Sequence, residues 1–387
     1  MQGARPDGPH GARLRSPYGA RLRSPHGARP HSPHGERPHS PHGEPVEPRG
    51  RGEGLRHSLR LFLVALVFAL SAPATAQEPA ISVPVKASPI RHFAVGSHET
   101  RFGPLEFAGG LSMTSPVDHF GAFSSFRFMS PGADVIGVSD TGFWFFGTLT
   151  RDAEGRPAGF ADFSMQPMVD GAGSSTREKW TTDAEGIAVK DDLATVSFER
   201  VQRIAEFGIE RGAMGAAIRD LDFLVPRHEL RNNRGFETIA YAPPAGRLGG
   251  ARVVVAERSI DENGNCFAAI LEGPHKGVFT VARSDGFDIT DGAFLPDGDL
   301  LLLERRFTLA QGVAMRLRRI DGATIAPGSV ADGPVLFTAG MDYQIDNMEA
   351  LDVWQRADGA TMVSLMSDDN HSLLQRNLYL EFRLLGE

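Results

Sequence analysis

Four stretches of the chain open alike, with an acid followed by small and apolar residues: Glu185-Gly186-Ile187-Ala188, Glu237-Thr238-Ile239-Ala240, Asp291-Gly292-Ala293-Phe294 and Glu349-Ala350-Leu351-Asp352. Their starts, at 185, 237, 291 and 349, are 52, 54 and 58 residues apart. Downstream of each, an apolar run ends in a second acid, at Glu199, Glu257, Glu304 and Asp368. A fifth unit, Gly109-Gly110-Leu111-Ser112, has the same shape without the first acid, and its run VIGVSD ends at Asp140. A period of roughly 50 residues is that of a four-stranded propeller blade. The interval from 109 to 185 is 76 residues, room for an insertion or one more blade.

The texture between these anchors is that of strands: short β-branched and aromatic runs punctuated by Gly, Pro and Asp. Turn signals lie midway between each pair of acids, at Asp191-Asp192, in the 243–250 loop, at Pro296-Asp297-Gly298-Asp299 and at Asp358-Gly359. The expected fold is therefore all-β, a single β-propeller of five recognisable blades, with six also compatible. The alternating C-terminal segment 378–384 and an N-terminal strand near 91–96 are expected to share the last blade and close the ring. Residues 208–222 read as a short helix or a loop over one face.

In an antiparallel hairpin the start of the first strand and the end of the second meet at one edge. Nine carboxylates should then gather at one rim: Asp140, Glu185, Glu199, Glu237, Glu257, Asp291, Glu304, Glu349 and Asp368. So many like charges need cations, either bound metal or arginine. Arg200, Arg258 and Arg305 each follow a glutamate directly and are candidates for pairing with the next blade or for holding substrate. Glu185, Glu237, Asp291 and Glu349 have no adjacent arginine and are the candidate metal ligands. An all-oxygen set suits Ca²⁺, which takes six to eight oxygen ligands, and Glu185 or Glu237 is the candidate general base. A structural alternative is that the Glu-Arg pairs only tie the blade ends together.

The D-A-E-G-I-A unit at 183–188, S-F-E-R at 197–200, N-R-G-F-E at 233–237 and A-E-R at 256–258 resemble the phytase-like domain of the family called "esterase-like activity of phytase". The resemblance spans roughly residues 105–380. It implies a hydrolase releasing phosphate from a small-molecule mono- or diester. Gly109 stands where the other units carry an acid, a departure that weakens the first unit's share in any metal site.

The N-terminal part reads differently. From Gly11 to Gly43 a Gly opens a unit of the type G-A-R-L-R-S-P-H every eight residues, and residues 1–54 are expected to be a disordered repeat or a mis-assigned start. Arg49, Arg51, Arg56 and Arg60 then flank the apolar run 61–70, and A-T-A precedes Gln77. Ten apolar residues are too few to span a bilayer, so residues 55–76 read as a Sec signal peptide cleaved between Ala76 and Gln77. Residues 77–100 are the expected N-terminal segment and closing strand, and 101–387 the propeller, in a periplasmic or secreted protein with no stable membrane anchor.

Charge supports this division. Of 40 basic and 48 acidic residues, 1–76 hold 11 Arg against 5 acids. Residues 77–387 are left with 29 against 43, a net charge of −14. Such a surface does not fit a nucleic-acid partner. Cys266 is the sole cysteine, which excludes an internal disulfide and a Cys₄ metal site. The chain has no G-x-S-x-G, H-E-x-x-H, P-loop or dinucleotide fingerprint. His228-Glu229 is followed at 232 by Asn, not His, and Asp261-Glu262-Asn263-Gly264-Asn265 reads as a hairpin tip. Two alternatives to a phosphoesterase stay open: a Ca²⁺-dependent lactonase or carboxylesterase, and a non-catalytic binding or scaffold propeller. The sequence carries no signal for oligomeric state.

Overall fold

The apolar runs are continuous, not alternating, because each blade buries both of its faces. In the run of four leucines, Leu301 and Leu303 point into one core cluster while Leu300 and Leu302 point into another. The same alternation sends Val253 and Val255 to one side and Val254 and Ala256 to the other. Side chains of a strand alternate between faces, so a sheet sandwiched between two neighbours needs apolar residues at every position. Burying one such side chain is worth roughly 1.5–3 kcal/mol.

A computed structural model of the chain describes residues 78–169 and 179–386. The chain divides into two units, Met1–Ala69 and Leu70–Glu387. The low-complexity repeat, the signal-peptide segment and its cleavage point all lie outside the described residues. The described residues of the second unit form five sheets, as the repeat predicts, antiparallel throughout except for the edge strand Val330–Ala331, which pairs in parallel with Gly277–Val281 in the third. Their inner strands are Phe123–Phe128, Ala184–Lys190, Phe236–Tyr241, Asp288–Phe294 and Asn347–Gln355, in blades one to five. Each inner strand contacts the inner strands of the two adjoining blades, and blade five returns to blade one, so the ring is closed. Five hydrophobic clusters fill the five spaces between blades.

Both termini close the ring. In blade five, Asn347–Gln355, Thr361–Asp368 and Asn377–Leu384 come from the C-terminus, and Leu105–Thr114 and Lys86–Ile90 from the N-terminal side. The expected closing strand near 91–96 is replaced by these two. Phe93 explains why: it is fully buried, its ring 4.9–6.0 Å from those of Phe102, Phe107, Phe337, Tyr343 and Phe382, so the chain turns inward there and leaves only an isolated bridge from Ala94 to Tyr343.

The Gly109-Gly110 pair is likewise part of this closure and not the start of a unit. A Cβ on Gly110 would sit 2.7 Å from the Tyr379 carbonyl oxygen, so the glycine permits the close approach of the two terminal strands. Blade one begins instead at Phe123. Residues 208–222 hold turns and the short outer strand Arg219–Leu221, not a helix. The hairpin tip at Asp261 is a turn in which the Asp261 Oδ1 accepts from the backbone N–H groups of Asn263 and Asn265.

Candidate functional site

A β-bulge recurs near the start of every inner strand and sets the geometry of the rim. In each blade one inner-strand residue has no partner on the second strand, and that residue is Ser124, Glu185, Glu237, Thr290 or Glu349 in blades one to five. One residue past the second-strand partner of the residue before each bulge stand, in the same order, Asp140, Glu199, Glu257, Arg305 and Asp368, the last two themselves paired with Asp288 and Asn347. A bulge re-aims its extra side chain and interrupts the ladder. All of these positions except Thr290, which is buried with its hydroxyl donating to the Met348 carbonyl, line a cavity of about 210 Å³, with Asp183, Arg200, Asn233 and Asn370 completing its wall.

Seven of the nine carboxylates expected at one rim are there, together with Asp183: Asp140, Glu185, Glu199, Glu237, Glu257, Glu349 and Asp368. Asp291 and Glu304 are the corrections. Both sit one residue away from the bulge register, and a one-residue slip sends a side chain to the opposite face. Glu304 is buried between Arg316 and Arg318, its Oε1 2.5 Å from Arg318 Nη2. The position the repeat assigns to a second acid in blade four is held by Arg305. Arg305 Nε lies 3.1 Å from Glu349 Oε1 and Nη2 lies 3.8 Å from Glu257 Oε1, so it bridges blades three and five.

Asp291 is not a rim ligand because it points into the propeller axis. Its two carboxylate oxygens each lie 2.9 Å from Arg127, and its Oδ2 also accepts from the Ser125 hydroxyl and the Leu351 N–H. The same two Arg127 nitrogens donate to the carbonyls of Phe126, Ile239, Gly292 and Leu351, which hold equivalent places in four different blades, and Nε faces Asp352 Oδ1 at 4.0 Å. At the positions equivalent to Arg127, blades two, three and four carry Ala188, Ala240 and Ala293, leaving space on the axis for one guanidinium. The pair therefore fills the axis between the inner strands.

Of the three candidate arginines, Arg200 and Arg305 line the cavity and Arg258 does not. Arg258 Nη1 reaches Asp288 Oδ2 at 3.2 Å, a tie from blade three to the start of blade four. Arg200 Nε donates to Asp183 Oδ2 at 2.5 Å. Glu199 accepts from the Gly235 N–H across to blade three. Arg200, Asn233 and Asn370 all have positive φ, near 50°, a conformation that costs a non-glycine residue roughly 1–3 kcal/mol and concentrates at functional sites.

Electrostatics follow from depth and crowding. Glu185 is pushed well above the ordinary carboxylate range, first by its depth beneath the rim and then by Glu199, Asp183, Asp140 and Glu349. Glu237 is raised likewise, by burial and then by Glu185, Glu257, Glu199 and Glu349. Burial also lifts Glu199 and Glu257 to about 7 and Asp368 to about 8. Arg305 opposes the rise at Glu257, and the Gly235 N–H that at Glu199.

Ligand oxygens of Asp183, Glu185 and Glu199 all lie within 4.8 Å of one another. An all-oxygen donor set of this kind fits a hard divalent cation. Asp183 is the member the repeat arithmetic misses, although it opens the D-A-E-G-I-A unit two residues before Glu185. Glu237 and Glu349, also expected as ligands, line the same cavity but stand apart from this triad, Glu349 being engaged by Arg305 and by the Asn347 amide at 2.7 Å.

Among solved structures the chain is similar to a putative glucose dehydrogenase-type oxidoreductase from Thermus thermophilus, at 13% identity and a TM-score of 0.35, over 71% of this chain and 99% of that one. It is also similar to the PQQ-bound aldose sugar dehydrogenase of Streptomyces coelicolor, at 13% identity and a TM-score of 0.36, over 78% of this chain and 100% of that one. A search of curated proteins finds no match. Residues 118–371, more than half of the chain and including every cavity-lining residue, match the family described as phytase-like, esterase-like activity of phytase, and the protein belongs to that family.

Proposed function

We propose that the protein is a metal-dependent hydrolase of small-molecule phosphate esters. The observation that carries this reading is a carboxylate triad fit for a hard cation sharing one cavity with Arg305. Calcium held by Asp183, Glu185 and Glu199 would supply positive charge to polarise a phosphoryl oxygen and to lower the pKa of a water molecule.

The chain's own groups divide the remaining work. Arg305, in the ring position that is acidic in the other four blades, presents a planar fork suited to phosphate oxygens. Arg200, steadied on Asp183, faces the same space from blade two. Glu237, raised by burial and by its carboxylate neighbours, would be held as the carboxylate once a cation at the triad offsets their charge, and in that form it accepts a proton from the attacking water as the new O–P bond forms. The ester P–O bond breaks, and the leaving oxygen takes a proton from Glu257, whose pKa near 7 leaves it partly protonated at neutrality. Solvent then restores both carboxyl groups. The acidic mouth favours small esters over polyanions unless bound cations reverse the local field. We place this activity outside the cytoplasm, on the strength of residues 49–76, which lie outside the described residues.

The test is metal analysis of the purified protein, then hydrolysis of 4-nitrophenyl phosphate, bis(4-nitrophenyl) phosphate and a simple lactone with and without chelator. Phosphate release that chelator abolishes and Glu237→Gln lowers by about 10²-fold or more supports the reading. Lactone turnover alone points to the carboxylesterase alternative, and no turnover with chelator-insensitive stability points to a scaffold.

A further inference from the structure

The face of the propeller that carries the cavity also carries its most exposed apolar side chains. Leu373, Leu309 and Leu374 are 104%, 97% and 93% exposed, and Phe307 and Met341 are each more than half exposed. All five lie on one face by topology. The second strand of every blade ends at the cavity rim, so the loops that follow it project beyond the rim. Leu309 tips that hairpin in blade four, four residues past Arg305, and Leu373 and Leu374 belong to the corresponding loop of blade five, three and four residues past Asn370. Met341 sits in the loop joining the outer strand of blade four to blade five.

These loops form one continuous surface. A Cβ on Gly312 would meet the Met341 side chain at 2.9 Å, so Met341 lies against the Leu309 hairpin. Arg376, at the end of the Leu373 loop, donates to Gln344 and to the Ile345 carbonyl and pairs with Asp346. The leucines are held outward by structure: Ser372 N–H donates to the Asp369 carbonyl, Gln375 N–H to the Ser372 carbonyl, and Asn370 and His371 both have positive φ.

We propose that this collar docks reversibly on a lipid surface and that the hydrolase acts there on phosphoesters of amphiphiles. Protruding leucines at turn tips suit insertion into the acyl boundary of a bilayer, as apolar side chains of interfacial elements do. A second copy of this chain does not fit, since face-to-face association would set two acidic cavities against each other. The same acidic mouth favours a zwitterionic surface over an anionic one. Substrate choice rests on the phosphoesterase reading; docking does not.

The experiment uses the purified protein with calcium and phosphatidylcholine vesicles. Co-sedimentation is measured for wild type and for Leu309→Ser/Leu373→Ser/Leu374→Ser, whose altered residues are solvent-exposed. Hydrolysis of butyl and dodecyl 4-nitrophenyl phosphate diesters is followed in parallel. The expected result is vesicle binding at least tenfold weaker in the variant, and a similar loss of kcat/KM on the dodecyl ester with the butyl ester unchanged. Equal sedimentation of wild type and variant, or a leucine-dependent dimer in place of vesicle binding, overturns the docking. Leucine-dependent binding without hydrolysis of either ester upholds docking and overturns the phosphoesterase reading.

Discussion

Replacing Asp291 should destabilise the fold without touching the cation site, an outcome opposite to what the sequence repeat implies. In the structure Asp291 is fully buried and forms a two-point pair with Arg127, each oxygen 2.9 Å away. Asp291→Ala leaves a buried guanidinium with backbone carbonyls and only Asp352, 4.0 Å from its Nε, as countercharge, and breaking a buried pair from one side costs roughly 3–5 kcal/mol. Against a total stability of about 5–15 kcal/mol, that is a large fraction. At roughly 2–4 °C per kcal/mol for a domain near this size, the melting temperature should fall by about 10 °C.

The double variant Arg127→Met/Asp291→Ala should recover part of this loss, because it removes the stranded guanidinium and leaves Asp352, already raised to about 6 by burial, free to take up a proton. The assay is thermal unfolding of wild type, Asp291→Ala, the double variant and Glu185→Gln, each with calcium and with chelator. Asp291→Ala should shift both curves equally, keeping the calcium-induced gap of wild type. Glu185→Gln should narrow that gap, since a ligand bound only to the folded state stabilises by RT ln(1 + [L]/Kd). If Asp291→Ala closes the gap as Glu185→Gln does, Asp291 faces the ion and the bulge register is wrong.

The other predictions concern charge, the ring arginine and export. Glu199, Glu257 and Asp368 have folded-state pKa values of about 7, 7 and 8, above their unfolded values, so the folded chain binds more protons than the unfolded one between about pH 4.5 and 8. Stability of the metal-free protein should therefore fall as pH rises through that window, by up to about 1.4 kcal/mol per pH unit for each group, and calcium should flatten the slope; melting curves against pH with chelator check the sign. Arg305→Met should raise KM for phosphate esters at least tenfold and, by unpairing Glu257 and Glu349, tighten rather than weaken calcium binding, as read by calorimetry. N-terminal sequencing of exported protein should begin at Gln77; a start upstream of Leu61 would refute cleavage there.

What could be read from the sequence follows from what a period can encode. A blade-sized repeat marked by strand-start acids is enough to fix the architecture, because every blade must present apolar side chains to both neighbours and so repeats the same run. The period also places acids at one rim, and in blades two, three and five it places them correctly. It fails in blade four because the feature that orients the rim is a single unpaired residue, and an extra residue leaves no trace in a spacing that already varies between 52 and 58.

Thr290-Asp291 and Glu304-Arg305 are adjacent polar pairs in which either member could hold the rim position. The acid is the natural choice by analogy, yet hydrogen-bond register puts Thr290 at the bulge, buried, and Arg305 at the rim. Blade one fails differently, since its rim residue is Ser124, with no acid to mark it, and Gly109-Gly110 imitates a unit start for reasons of close packing at the seam. The two blades that break the repeat are thus the ones that make the ring asymmetric. Arg305 in blade four stands opposite the carboxylate triad of blade two, and Arg127 and Asp291, from blades one and four, fill the axis beneath. A five-fold ring of identical acids would bind cations without direction. Arg305 between Glu257 and Glu349, with Arg200 beside Asp183, breaks that symmetry, and the proposed phosphate-ester reading depends on the break, because it puts a guanidinium and the carboxylate triad in one cavity.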